Sequence, residues 1–84
     1  MKKLYYVSYD LVKTKDYPKL WEALKALGAI RVLESVWCTS RTNTTSEAIR
    51  EYLKPYIDSD DRLLVIESTS SAWVGRLLGD PNKA

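Results

Sequence analysis

The sequence predicts an α+β sandwich, a four-stranded antiparallel sheet with two helices on one face and a short tail behind it. Three observations predict it. Apolar spacing switches between period two and period 3.6 in the order strand, helix, strand, strand, helix, strand. Only Glu34-Ser35 separates the second strand from the third, which leaves room for a tight turn and makes the two a hairpin. The other two links each pass through a helix, and such crossovers are almost always right-handed. Residues 1–69 hold the sandwich and 70–84 the tail.

Residues 3–11 read as the first strand, because Tyr, Val and Leu suit a pleated, half-buried surface. One face carries Tyr5, Val7, Tyr9 and Leu11 and is assigned to the core. The other carries Leu4, Tyr6, Ser8 and Asp10 and so ends in a carboxylate. Asp16 is the expected N-cap of the first helix, with Pro18 tolerated in the first turn. Tyr17, Leu20, Trp21, Leu24 and Leu27 recur at helical spacing, and Gly28 stands where a helix usually stops. Residues 29–33 and 36–40 are the hairpin strands. Thr44 and Glu47 form a T-x-x-E capping box ahead of a second helix bearing Ala48, Ile49, Tyr52, Leu53, Tyr56 and Ile57. Pro55 interrupts its last turn. Asp58, Asp60 and Asp61 read as a solvated turn, lacking the Gly and Glu of a calcium loop. Residues 62–69 form the fourth strand, whose run Leu63, Leu64, Val65 and Ile66 is expected to be buried on both faces. In the tail, Ala72, Trp73, Val74, Leu77 and Leu78 suit a short extra strand or turn, with Trp73 as its anchor. The order βαββαβ is that of a ferredoxin-like sandwich.

Composition narrows the chemistry. The 84 residues contain no His and one Cys, which excludes a Ser-His-Asp triad, a His metal site and an internal disulfide. The three Gly do not make a phosphate-binding loop. The apolar stretch after Met1 is too short for a signal peptide, no run of 18 apolar residues spans a membrane, and a lone Cys suits a reducing compartment. The expected location is cytoplasmic. Net charge is only +2, but residues 1–31 carry seven basic and three acidic side chains, whereas the remainder is net acidic. A bound polyanion would therefore meet the N-terminal half.

Helices on one face leave the other sheet face bare, and a small chain seldom exposes such a patch. That face is expected to include Tyr6, with Trp37 or Cys38, and to be covered by a second copy or a ligand. Tyr6 and Trp37 are the candidate dimer-interface residues. Asp10 is either a metal-ligating carboxylate or a strand-end side chain that binds loop amides. Lys13, Lys15, Lys19 and Arg31 are the candidates for meeting phosphates; Arg31 suits cross-strand pairing equally well. Ser8 and Ser35 have no evident activating base, and Glu34 at the hairpin and Glu67 late in the fourth strand are weaker metal candidates.

A first strand ending Tyr9-Asp10, then Arg31-Val32, then Ser35-Val36-Trp37 resembles the small CRISPR-associated Cas2 family, with the spacing that family shows over residues 3–69. Residues 58–66 with the preceding Leu53-Lys54-Pro55 are similar to its divergent SinR-like branch. The resemblance implies a ferredoxin-like homodimer whose two Asp10 side chains meet at a cleft and ligate Mg²⁺ in a nuclease. In other members the fold is only a dimeric scaffold holding duplex DNA, and the superfamily includes VapD-type ribonuclease toxins. The sequence departs from the pattern in its short tail, without a clear fifth strand to cross to a partner, and in Trp37, where Phe is commoner. Three readings stand: a nucleic-acid-binding Mg²⁺-dependent endonuclease, a non-catalytic adaptor recruiting a protein partner, and a regulatory module binding a nucleotide at the dimer cleft.

Overall fold

Alternating apolar and polar side chains make Lys3–Asp10 a strand with one dry face, and this strand, β1, lies at the centre of the sheet. The structure, a computed structural model, describes residues 2–12, 17–70 and 72–84. After β1 come α1 (Pro18–Ala26), β2 (Ile30–Leu33), β3 (Val36–Arg41), α2 (Ser46–Leu53), a 3₁₀ turn (Lys54–Tyr56), β4 (Arg62–Ser68) and a second 3₁₀ turn (Pro81–Lys83). The sheet order is β2-β3-β1-β4, and every pairing is antiparallel. This is the α+β, ferredoxin-like arrangement that the periodicities predict.

Tyr5 and Val7 are fully buried and Tyr9 nearly so, packed with Leu20, Ala23 and Leu24 of α1 and Ile49 and Leu53 of α2. Each large apolar side chain removed from water contributes about 1.5–3 kcal/mol, so this cluster holds both helices to the sheet. Gly28 ends α1 with φ +76°, a conformation that costs a side-chain-bearing residue. The carbonyl of Leu27, the C-cap of α1, accepts from Thr39 Oγ1 at 3.0 Å and from Arg41 Nη1 at 2.9 Å. These bonds fix the helix end to β3.

Several expectations are corrected. The N-cap position of α1 is Tyr17, which makes no side-chain cap; Asp16, expected there, lies outside the described residues. The cap of α2 is Thr45, whose side chain accepts from the Ala48 amide at 3.1 Å, one residue later than the predicted Thr44–Glu47 box. Thr44 instead offers its carbonyl to the Tyr5 hydroxyl at 3.0 Å. Tyr52 and Tyr56 lie exposed on the outside of α2 and the turn after it. In β4, Leu63 and Val65 pack on the core, but Leu64 and Ile66 are 57% and 47% exposed. The continuous apolar run mimics a strand covered on both faces, yet β4 is an edge strand covered on one. Trp37 also moves. It pairs with Val7 and therefore shares the helix-covered face, where it is 4% exposed. It is core and not part of the bare face.

Cys38, one residue on, pairs with Tyr6 and points to the face without helices, yet it is fully buried. The tail reaches this region. The Leu78 amide donates to the Val32 carbonyl at 3.0 Å, Gly79 lies against β2, and Pro81 is buried. Asp80 caps the closing 3₁₀ turn by accepting from the Asn82 amide at 2.9 Å, while Trp73, the expected anchor, is 44% exposed. The bare face is thus divided: the tail lies along its β2–β3 half, and the β1–β4 half stays open.

A Cβ at position 79 would stand 2.5 Å from the Arg31 carbonyl oxygen, a backbone atom that cannot rotate away. Gly79→Ala is therefore expected to lift the tail from β2 and to raise the rate at which iodoacetamide alkylates Cys38 at pH 8 by several-fold or more. An unchanged rate would show that the tail is not what shields the thiol.

Candidate functional site

The end of β1 carries two side chains with opposite duties. Tyr9 faces the core and Asp10, the next residue, faces out. The Tyr9 hydroxyl accepts from Trp21 Nε1 at 3.0 Å and from Trp37 Nε1 at 3.1 Å, and donates to the Glu34 carbonyl at 3.4 Å. A phenolic oxygen has one proton to give and two lone pairs to share, so its capacity is filled. The Tyr9 amide also donates to the Ser35 carbonyl at 3.1 Å. The β2–β3 turn is thereby held beside the end of β1.

Arg31 is fixed from two sides. Its Nε donates to the Glu34 carbonyl at 2.9 Å, its Nη2 donates to the same oxygen, and its guanidinium carbon lies 4.9 Å from the centre of the Trp21 ring. Cation–π contact of this kind is worth about 0.5–1 kcal/mol at an exposed site. The result is a guanidinium with little freedom to swing.

These constraints create an open cavity of about 560 Å³ whose walls include Asp10, Arg31, Glu34, Ser35, Tyr9 and Leu78. The Asp10 side chain is 70% exposed and accepts from Arg62 Nη1 at 3.5 Å across the β1–β4 pairing. An exposed pair at that distance contributes about 0–1 kcal/mol, so the carboxylate is readily available to a ligand. Asp10, Glu34, Arg31 and Ser35 therefore border one cavity. Mg²⁺ accepts one or two protein carboxylates while keeping several waters, and Asp10 with Glu34 offers oxygen donors of that kind. Among the described residues no cluster of three or more His, Cys, Asp or Glu stands ready for a metal.

Of the residues predicted from sequence, Asp10 and Arg31 are brought together. Lys19 is exposed on the first turn of α1 and does not line this cavity. Lys13 and Lys15 lie outside the described residues. Tyr6 is half-buried on the face without helices, and its hydroxyl is buried with no hydrogen-bond partner among the described residues. Glu34, ranked behind Asp10 as a hairpin residue, borders the same cavity. Its signal is the short turn itself, since a hairpin whose second strand pairs with β1 must place its turn beside the end of β1.

The acidic turn is solvent-exposed, as expected, and it is also hydrogen-bonded. Asp61 accepts from the Val12 amide through Oδ1 and from the Asp58 amide through Oδ2, both at 2.8 Å, and the Tyr17 hydroxyl donates to Asp58 at 3.4 Å. This turn ties the entry of β4 to both ends of the connection that follows Asp10. The Tyr17 phenol is pushed up to about 12 by partial burial and then by bonding to, and repulsion from, Asp61 and Asp58. The Cys38 thiol is pushed up to about 11 by burial first and then by the Asp80 charge.

Comparison with known proteins identifies a family. The family model described as "CRISPR associated protein Cas2" matches residues 3–75. A relative named CRISPR-associated endoribonuclease Cas2 1, from Methanospirillum hungatei JF-1, is 38% identical over 77 residues, covering 86% of this chain and 77% of its own. The chain belongs to the Cas2 family.

Two outcomes follow from these contacts. Tyr9→Phe removes the acceptor of two indole N–H groups and should cost about 1–3 kcal/mol in a denaturant titration. An effect under about 0.5 kcal/mol would mean that water replaces the hydroxyl without loss. Alkali should destabilise the chain ahead of general denaturation. The unfolded thiol ionises near 9 and the unfolded phenol near 10, while the folded groups hold their protons to about 11 and about 12. Their contribution is complete below pH 9 and shrinks as pH climbs through those windows. Cys38→Ala should flatten the fall in stability between pH 9 and 11 by about 1–2 kcal/mol. Equal slopes for parent and variant would remove the thiol as a cause.

Proposed function

We propose that this chain acts as a two-fold dimer that binds nucleic acid and hydrolyses phosphodiester bonds with the help of Mg²⁺ at Asp10. The observation that carries the reading is the shared cavity of Asp10 and the immobilised Arg31. The endoribonuclease name of the Methanospirillum hungatei relative supports the reaction class. Exposed Leu64 and Ile66 on the face without helices support a second copy as the cover of the open half-face.

In this reading each residue has a defined task. Asp10, with Glu34 beside it or with Asp10 of the second copy, holds the cation. Bound there, Mg²⁺ supplies charge neutralisation for the phosphate and activation of the attacking water. Arg31 holds a non-bridging phosphate oxygen, because its guanidinium is already oriented and loses little freedom on binding. Lys13, Lys15 and Lys19 add attraction for the neighbouring phosphates without reading sequence. The chain has no His, so no imidazole moves the proton of the attacking water. Where Asp10 of the second copy completes the cation site, Glu34, which borders the cavity, is the acid that remains to accept it.

A second reading is favoured by one specific observation. Asp10 bonds Arg62 across the strands, and the described residues of one chain hold no ready metal cluster. A dimeric adaptor without catalysis would need nothing more from Asp10 than this pair. A protein partner is then recruited through the open faces.

Asp10→Ala decides between the two. The residue is exposed, so its loss leaves no cavity and costs at most about 1 kcal/mol through the pair with Arg62. Light scattering at micromolar concentration should give twice the chain mass for parent and variant alike. Labelled RNA and DNA, with Mg²⁺ or with EDTA, should be cut by the parent only with Mg²⁺, and at least a hundredfold more slowly by the variant. Equal cleavage by both would place the activity elsewhere. An intact dimer whose parent cuts nothing would favour the adaptor.

A further inference from the structure

On the other side of Arg31 lies a second cavity, of about 730 Å³, bounded by α1, β2 and the tail. Its walls include Trp21, Trp37, Ile30 and Leu78, and the cations Lys25 and Lys83. Arg31 and Leu78 border this cavity and the Asp10 cavity alike, so the two are neighbours. Nothing in the reaction above uses this second space.

Its chemistry is specific. Both indole N–H groups are turned inward to the Tyr9 hydroxyl, so Trp21 and Trp37 present carbon to the cavity. The Arg31 guanidinium is clamped over Trp21 and on the Glu34 carbonyl, and its plane is a ready surface for a flat ring. Lys25 and Lys83 are exposed, while Ile30 is half-buried and Trp37 nearly fully buried. The cavity is therefore apolar within and cationic at its margin, with Asp80 as the acid among its lining residues. Its volume falls within the range of about 300–1,000 Å³ usual for small-ligand sites. A flat aromatic ring carrying an anionic group satisfies all of these features at once.

We propose that this cavity binds a nucleoside phosphate, its base against the Trp21–Arg31 wall and its phosphate at Lys25 and Lys83. The ligand is either a free nucleotide or one nucleotide of a single strand whose neighbouring phosphate lies in the Asp10 cavity. The second form rests on the nuclease reading; the first does not. Stacking of a base on an aromatic or guanidinium surface is worth about 1–3 kcal/mol, enough to raise a weak electrostatic contact to a measurable site.

The test is tryptophan fluorescence on Asp10→Ala protein in EDTA, in a Trp73→Phe background so that the exposed tail indole adds no signal. The probes are UMP, a four-nucleotide oligouridylate and inorganic phosphate. Saturable quenching by UMP is expected for a free-nucleotide site, and quenching by the oligonucleotide alone for a strand subsite. Lys25→Ala/Lys83→Ala should weaken either by tenfold or more. The proposal falls if neither nucleotide probe saturates below 10 mM, if phosphate alone quenches as well as UMP, or if the double variant binds as tightly as its parent. Because this binding is measured without cleavage, a parent that cuts no nucleic acid would leave the nucleotide site standing and sink only the nuclease.

Discussion

The Tyr9 hydroxyl stands where β1, α1 and the β2–β3 turn meet, and the arrangement around it depends on its three bonds. Two indole N–H groups reach it from α1 and β3, and it reaches the Glu34 carbonyl. Each of those donors, left alone in a dry interior, would cost about 1–3 kcal/mol. The hydroxyl thus fixes the rotation of Trp21 and Trp37 and the position of the turn. Trp21 and the Glu34 carbonyl in turn fix Arg31. The chain of constraint runs from a core tyrosine to a surface cation without any charged group being buried.

The same residue places Asp10. In a strand successive side chains alternate, so a Tyr9 locked into the core forces the next carboxylate outward. Burial on one side and exposure on the other are two consequences of one register. The acidic turn at Asp58 and Asp61 acts from the opposite end, binding the amide of Val12 just beyond the carboxylate. The site is therefore held by the sheet on one side and by the entry of β4 on the other, while the cavity itself stays open to solvent.

The sheet shows how a small chain manages two faces with two helices. The helix-covered face holds nearly all the fully buried side chains. The other face is shared between the tail, lying near Cys38, and an open half with Leu64 and Ile66. The open half lies on an edge strand, where unpaired backbone groups and exposed apolar side chains both favour contact with another chain.

The sequence by itself determined the element order, the antiparallel sheet and the dry face of β1, because each rests on local periodicity or on a turn too short for any other connection. Element ends moved by one or two residues, as with the Thr45 cap, because neighbouring hydroxyl residues compete for the same amides. What local pattern could not decide was anything that depends on strand order or on the tail. The run at Leu63–Ile66 looks the same in a central strand and an edge strand, and only the pairing with β1 alone shows which it is. Trp37 and Cys38 are adjacent apolar residues, and only the register against Val7 and Tyr6 assigns one to the core and the other to the opposite face. Glu34 entered the site, and the cavity beside Trp21 formed, because segments far apart in sequence converge on one tyrosine hydroxyl, a contact that no periodicity encodes.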